Sequence, residues 1–407
     1  MNEQASKPLE TGRYTGLERP MPGLETGRYT GLERPMPGLP SHFYYDPAEH
    51  QRELAAIWYR NWLYVCRASE LAEPRSFRTF EIGSQNILVL KDGEGVLRAF
   101  HNTCRHRGSV LCTAREGRFK ASFIQCPYHR WTYNLQGELI GVPAIAPVEG
   151  LDKGKLPLYE VAVAEWGGFL FVNLADSKAR PFLDTLGAKA ERLDNWPLAD
   201  LVLGHSYRKT LACNWKVFWE NFSECLHCPG LHPELSRLVP IYGRSIMGPF
   251  DDPDWANHGG DDDPKFRGGL RPGAVTWSMD GRATGATFPD LTEQERRQGA
   301  NYVSLPPSMF VVGHVDYVRL VWLKPLGPEE TELGADWYFP PASLADKNFD
   351  LENVVGLGRL VLDQDGAACE LNQRGLRSLA HREGVLLPQE YLVHAFQNWV
   401  RQALAEA

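Results

Sequence analysis

Two short stretches each supply one cysteine and one histidine, Cys104-Arg-His106 and Cys126-Pro-Tyr-His129. Two thiolates and two imidazoles at this spacing can hold a tetrahedral zinc ion. They can also hold a two-iron, two-sulfur cluster, with the thiolates on one iron and the imidazoles on the other. Zinc fingers pair Cys with Cys and His with His along the chain. Here each loop contributes one of each, as two loops gripping a two-iron cluster from opposite ends require. Neutral imidazoles raise the potential of such a cluster above that of an all-cysteine centre, which suits it to accepting an electron and passing it on. Cys112 falls outside this spacing and reads as a buried thiol.

A second concentration of donors is ENFSECLHCPGLH, residues 220–232. His227 and His232 are separated by Pro229 and Gly230, a pair that interrupts a helix and lets the second imidazole swing back toward the first. Two imidazoles and a carboxylate on one face, with other positions open, form the triad of non-haem Fe(II) oxygenases, and dioxygen binds at the open positions.

These loops need elements to position them. Residues 46–60, DPAEHQRELAAIWYR, open with a capping Asp and place Leu54, Ile57 and Trp58 at helical spacing. The runs FRTFEIG, NILVLKDG, VLRAFHN, FIQCPYH, WTYNLQGE and GFLFVNLA are rich in β-branched and aromatic residues between turn signals. They predict a small antiparallel barrel or sandwich ending near residue 175. Beyond it, HSYRKTLACN reads as a strand. NWKVFWENFSECLHC reads as an amphipathic helix, with the second donor stretch on its end. Residues 248–300 turn to Asp, Gly and Pro, the composition of a long irregular excursion. SMFVVGHVDYVRLVWLKPLG and TELGADWYFPP predict a hairpin, and a helix over FDLENVVGLGRLVLDQDGAACELNQRGLRSL closes the domain.

Composition excludes some partners. With 43 Lys plus Arg against 51 Asp plus Glu, the balance of −8 repels phosphate backbones and anionic membranes. No run approaches the length of a membrane span, and the N-terminus lacks the features of a secretion signal, so a cytoplasmic protein is expected. In that compartment eight cysteines are expected as thiols or metal ligands rather than disulfides. Residues 25–39 repeat residues 10–24, ETGRYTGLERPMPGL, letter for letter. Two Gly/Pro-rich copies cannot build a core, so an extended arm is expected, free or packed on a neighbouring subunit.

With Arg105, Arg107, Gly108 and Trp131 the first motif becomes CRHRG…CPYHRW, which resembles the Rieske domain of the Rieske non-haem iron oxygenases. The resemblance spans roughly residues 42–390 and implies an α+β chain, with an all-β Rieske domain and its leading helix, 42–175, and a helix-grip catalytic domain of antiparallel sheet and helices, 176–407; only the duplicated arm, 1–41, is left unmatched. It implies a 2Fe-2S cluster on Cys104, His106, Cys126 and His129, and a mononuclear Fe(II) on His227, His232 and Asp365, with Asp363 as the rival carboxylate. Glu370 follows Asp365 at the family's spacing. Cys225 and Cys228 are left as packing thiols. In the family an acidic residue three before the first histidine ligand bridges to a cluster histidine of the next subunit. Glu224 takes that catalytic role here and implies a homotrimer. Dioxygen, and electrons from NAD(P)H through a flavin/iron-sulfur reductase, complete the reaction.

Glutamate in place of the usual bridging aspartate looks like the branch of glycine betaine, stachydrine and carnitine oxygenases. That implies hydroxylation or N-demethylation of a small quaternary ammonium compound held by aromatic faces. Phe222, Phe310 and Trp322 are the pocket candidates, with Trp255, Trp277 and Tyr317 in reserve. The alternatives are hydroxylation or O-demethylation of an aromatic acid, and a Rieske electron carrier without mononuclear iron. His205 and His314 read as structural, although His314 could face substrate.

Overall fold

The computed structural model describes residues 31–144, 149–175, 178–258 and 260–406. The first copy of the repeated string and the start of the second lie outside them. The end of the second copy is not free: Met36–Pro40 forms a strand antiparallel to Glu383–Leu386 of the same chain.

The predicted first helix runs over Pro47–Ala56. The Asp46 carboxylate accepts from the Ala48 N–H at 2.7 Å, and Pro47 occupies a position where no N–H is needed. The helix packs against the helices Trp215–Phe222 and Tyr391–Ala405 of the catalytic half. Leu54, Ile57 and Trp58 join one apolar cluster with Trp215, Phe218 and Phe396. That cluster also takes in Ile87, Val89 and Ala99, so a single core runs through both halves.

Among the described residues, the N-terminal half holds three small antiparallel sheets. Leu97–His101, Gln85–Lys91, Ser76–Ile82 and Glu116–Arg118 form one, in that order; Phe123–Gln125, Thr132–Asn134 and Leu139–Gly141 form the second. Ala162–Trp166, Phe169–Asn173 and Leu63–Arg67 form the third.

The catalytic half is built on one five-stranded antiparallel sheet. Its order is Val202–Leu211, Glu330–Phe339, Val318–Gly327, Met309–His314, Ala300–Leu305. The predicted hairpin is therefore part of a larger meander. The excursion 248–300 is a series of short turns and helices whose Trp277 is buried. The helix Leu351–Leu376, capped by Asp350, crosses the sheet. It does not close the domain, because a strand and the helix Tyr391–Ala405 follow, the latter with Leu392, Phe396, Val400 and Leu404 buried at four-residue spacing. No helix among the described residues is long and apolar enough to cross a membrane.

Candidate metal centres and substrate cavity

The two Cys/His loops are built alike. In each, the N–H four residues after the cysteine returns to the cysteine carbonyl, Gly108 to Cys104 at 2.9 Å and Arg130 to Cys126 at 3.0 Å. Both closing residues have positive φ, +74° and +57°. Glycine adopts this freely, whereas Arg130 is strained and held there by the loop. The sulfur atoms are inside, with Cys104 3% and Cys126 1% exposed; His106 is exposed and His129 partly so. The imidazoles meet edge to face with centroids 4.8 Å apart, and His106 stacks on Trp131 at 4.8 Å.

The donors thus sort into a buried thiol pair and an outward imidazole pair, the division that a two-iron cluster with mixed ligands needs and that a single tetrahedral ion does not. The Tyr133 hydroxyl lies 3.4 Å from Cys104 Sγ. Burial alone would raise the Cys126 thiol. The N–H groups of His129 and Tyr128, with Cys104 and Ser109, outweigh burial and hold its pKa below the ordinary thiol value, while burial leaves the Cys104 thiol raised. Such oriented N–H groups suit anionic sulfur.

In the second stretch the helix stops at Phe222, earlier than expected. The Ser223 hydroxyl turns back to the Trp219 carbonyl at 2.6 Å, and the Glu224 carboxylate takes the Leu226 N–H. Glu224 and His227 therefore sit in a turn rather than on a helix. A short helix, Cys228–Leu231, then carries the chain to His232. Cys225 and Cys228 are not the separate packing thiols that the resemblance implies. Cys225 and Cys228 are joined in a disulfide, their Cα atoms 5.0 Å apart, within the range that a bridge spans. The tight turn brings the two together, and the bridge clamps the segment that carries His227.

His227, His232 and Asp365 offer ligand atoms that all lie within 4.8 Å of one another, the only such cluster found among the described residues. Asp365 Oδ1 stands 2.9 Å from His232 Nε2 and 3.5 Å from His227 Nε2. The far nitrogens are held as well: His227 Nδ1 is 2.5 Å from Glu224 Oε1, and His232 Nδ1 is 2.7 Å from Gln364 Oε1. Both rings thus turn Nε2 to the centre. Burial would lower the basicity of His232, but the hydrogen bond and charge of Asp365 raise it. Two imidazoles and a carboxylate converging at one point, each ring oriented from behind, fit a mononuclear Fe(II).

Asp363 is turned away on the same helix, bonded to the Tyr207 hydroxyl at 2.7 Å and to Lys209 Nζ at 2.8 Å. Glu370 accepts from the Ala212 N–H, and Glu220 from the Tyr44 hydroxyl, so neither joins the cluster. Glu224 contacts one imidazole within this chain. Gln364 was missed, and its only sequence signal is adjacency to Asp365.

A cavity of about 70 Å³ opens on the three converging residues, and Phe222, Tyr242, Trp277, Tyr302 and Phe310 wall it. Phe222 and Phe310 stack at 3.8 Å. An outer cavity of about 140 Å³ shares Tyr242, Trp277 and Tyr302. Trp322 is elsewhere. Its neighbour Val321 pairs with Phe310, so alternation sends Trp322 to the opposite face of the sheet, beside Arg208 and Asp336. Trp255 and Tyr317 do not line the cavity, nor does His314, which is fully buried with Nδ1 3.2 Å from the Gly299 carbonyl oxygen. His205 lies on an outer strand against Trp337.

Comparison with known proteins agrees with this geometry. Residues 61–159 match the Rieske [2Fe-2S] domain, and residues 198–406 match the catalytic domain of the ring hydroxylating alpha subunit. The chain is 31% identical over 383 residues to the glycine betaine monooxygenase oxygenase subunit of Chromohalobacter salexigens, covering 88% of this chain and 84% of that protein. It is 29% identical over 373 residues to the chloroplastic choline monooxygenase of Beta vulgaris, 90% and 76%. It is 30% identical over 346 residues to the carnitine monooxygenase oxygenase subunit of Acinetobacter baumannii, 84% and 86%. A quaternary ammonium Rieske monooxygenase structure superposes with a TM-score of 0.68 at 24% identity over 90% of this chain and 95% of that one. Naphthalene 1,2-dioxygenase from Rhodococcus sp. does so at 0.65 and 21%, over 91% and 95%. With both domains matched in the order in which the two sets of donors occur, the chain belongs to the Rieske non-haem iron oxygenases, as an oxygenase (alpha) subunit that uses dioxygen with a 2Fe-2S cluster and a mononuclear iron.

Proposed function

We propose that this oxygenase acts on a small quaternary ammonium compound, oxidising a carbon beside the charged nitrogen by hydroxylation or N-demethylation, with electrons from NAD(P)H delivered by a separate flavin/iron-sulfur reductase. The observation that carries the reading is the aromatic wall of the cavity that opens on His227, His232 and Asp365. A quaternary ammonium group has no hydrogen to donate and is recognised through aromatic faces, which Phe222, Phe310, Tyr302, Tyr242 and Trp277 present. Relatives named for glycine betaine, choline and carnitine support the same class.

In this reading Cys104, Cys126, His106 and His129 hold the cluster, and His227, His232 and Asp365 hold the iron. The cluster supplies single electrons and the iron activates dioxygen. The chain's own residues set the conditions. Glu224 and Gln364 fix both imidazoles with Nε2 inward, and the aromatic wall excludes water and leaves the cation unsolvated beside the centre. Glu224 also borders a second cavity of about 390 Å³, lined too by Glu220 and His381. That opening supports a ring of three subunits, in which an exposed cluster histidine of the neighbouring subunit reaches Glu224.

Iron counting tests the scheme. About three irons per chain are expected, against about two for a Rieske carrier without the second centre. Asp365→Ala should lose one iron with the cluster spectrum intact, and an unchanged count would move the ligand to Asp363. Quaternary amines and methoxylated aromatic acids are then compared for substrate-dependent NAD(P)H use and formaldehyde release. Turnover of the acids alone would overturn the substrate class.

A further inference from the structure

One charged side chain on the cavity has no part in the scheme above. Arg319, on the strand Val318–Gly327, is only 7% exposed and borders the same cavity as His227, His232 and Asp365. The register explains why: Arg319 pairs with Val312, two residues beyond Phe310, and so shares its face of the sheet. Among the described residues it has no hydrogen bond and no ion pair, and its Nε is buried without a partner.

The fold makes room for this group. A Cβ on Gly358 of the crossing helix would stand 2.7 Å from Arg319 Nη1 and 2.9 Å from Trp337 Cζ2, so only glycine at that point leaves space for the guanidinium. Trp277, which lines the cavity too, has an indole N–H that is also buried without an acceptor. The neighbouring His314 gives no counter-ion, because an imidazole is neutral or cationic, and burial and then the charge of Arg319 keep this one neutral.

A desolvated guanidinium without a counter-ion is costly to keep. Its planar fork of donors matches a carboxylate better than any other common group. We propose that Arg319 anchors a carboxylate of the substrate, so that the site takes a zwitterion, a quaternary ammonium joined to a carboxylate by a short carbon chain. This rests on the quaternary ammonium reading and narrows it. The aromatic wall holds the cation, Arg319 holds the anion, and a bare cation meets an uncompensated positive charge. An ammonium alcohol is then a poor ligand although its cationic end is the same.

The test is equilibrium binding by calorimetry to the anaerobic holoenzyme, with glycine betaine, choline and benzoate as probes. Wild type should bind glycine betaine about 10- to 100-fold more tightly than choline, the range for hydrogen bonds between charged groups. Arg319→Gln should erase that margin by weakening glycine betaine binding while choline binding holds or tightens. Arg319→Lys, which keeps the charge and loses the fork, should fall between. Iron content and circular dichroism of each variant report whether the fold survives. Equal binding of glycine betaine and choline by the wild type, a comparison that needs no variant, overturns the anchor and leaves the quaternary ammonium reading standing. So does glycine betaine binding that is unchanged in a folded Arg319→Gln. Conversely, Arg319-dependent binding of benzoate, with neither quaternary amine bound, overturns that reading and supports the anchor.

Discussion

At the scale of single residues, the second centre is defined as much by what stands behind the imidazoles as by the imidazoles themselves. Gln364 holds only His232, whereas Glu224 holds His227 and also lines the second cavity. The two should fail differently. Gln364→Leu frees the His232 ring and should weaken iron binding about 10- to 100-fold, the usual cost of losing a residue that orients a ligand. Glu224→Gln retains a hydrogen-bonding oxygen, so both metals should stay bound while electron arrival at the iron slows in single-turnover kinetics. Loss of iron in Glu224→Gln would instead make Glu224 a ligand. A neighbouring carboxylate, Glu220, gives a pH signature. Burial pushes Glu220 up to about 7 from 4.5, against the opposing hydrogen bonds of Tyr44 and Gln397 and the charge of Lys216, while Glu390 adds to the rise. The folded chain therefore holds a proton that the unfolded chain releases. The stability this contributes is complete below about pH 4.5 and is lost as pH rises through about 7. Discounting for its partial exposure, Glu220→Gln should recover about 2 kcal/mol at pH 8 and flatten the melting profile between those values, as read by calorimetry.

At the scale of elements, the first helix is tied to the helix behind the second centre by a fully buried ion pair. Lys216 Nζ stands 2.5 Å from Glu53 Oε1 and also donates to Asn214 Oδ1, and the Trp215 indole N–H reaches Glu53 Oε2. Removing one charge strands the other, so Lys216→Met and Glu53→Leu should each cost about 3–5 kcal/mol, while the double variant recovers most of the loss. Melting temperatures of the four proteins would show it, and additive losses would argue against a paired origin. The first helix was legible because its signals are local: a capping Asp46, Pro47, and apolar residues at helical spacing. The strand Met36–Pro40 was not, since MPGLP lacks β-branched residues and its partner lies at the other end of the chain. The final helix also carries a local signal, Leu392, Phe396, Val400 and Leu404 at four-residue spacing. Trp322 and Phe310 could not be separated from composition, because only strand register decides which face each residue takes. The candidate donors Cys104, His106, Cys126, His129, His227 and His232 were legible because they share short stretches, whereas Asp365, far along the chain from them, was named only through the family resemblance. The groups that hold those donors, and the unpaired Arg319, are defined by tertiary neighbours that no spacing records.

At the scale of the whole molecule, the positions of the two sets of donors bear on assembly. His106 faces solvent from the N-terminal half, whereas Glu224 and His227 line a cavity in the catalytic half together with Leu39, Val385 and Leu386 of the strand pair that joins the chain's two ends. Nothing from the cluster loops lines that cavity among the described residues. In the proposed ring of three, the neighbouring subunit's cluster loops fill this opening, and an electron from their histidines enters beside Glu224. Complementation decides between transfer across subunits and transfer within one. Cys104→Ser should abolish the cluster and His227→Ala the mononuclear iron, so each variant alone should be inactive. Co-expressed and assembled at random in a cyclic trimer, they should recover about one quarter of wild-type turnover, because one in four interfaces joins an intact cluster to an intact iron site. Transfer within a chain would leave every mixed ring inactive, since no chain would then carry both centres. Mixing the two variants after each has assembled separately gives the control: activity should return only as fast as subunits exchange.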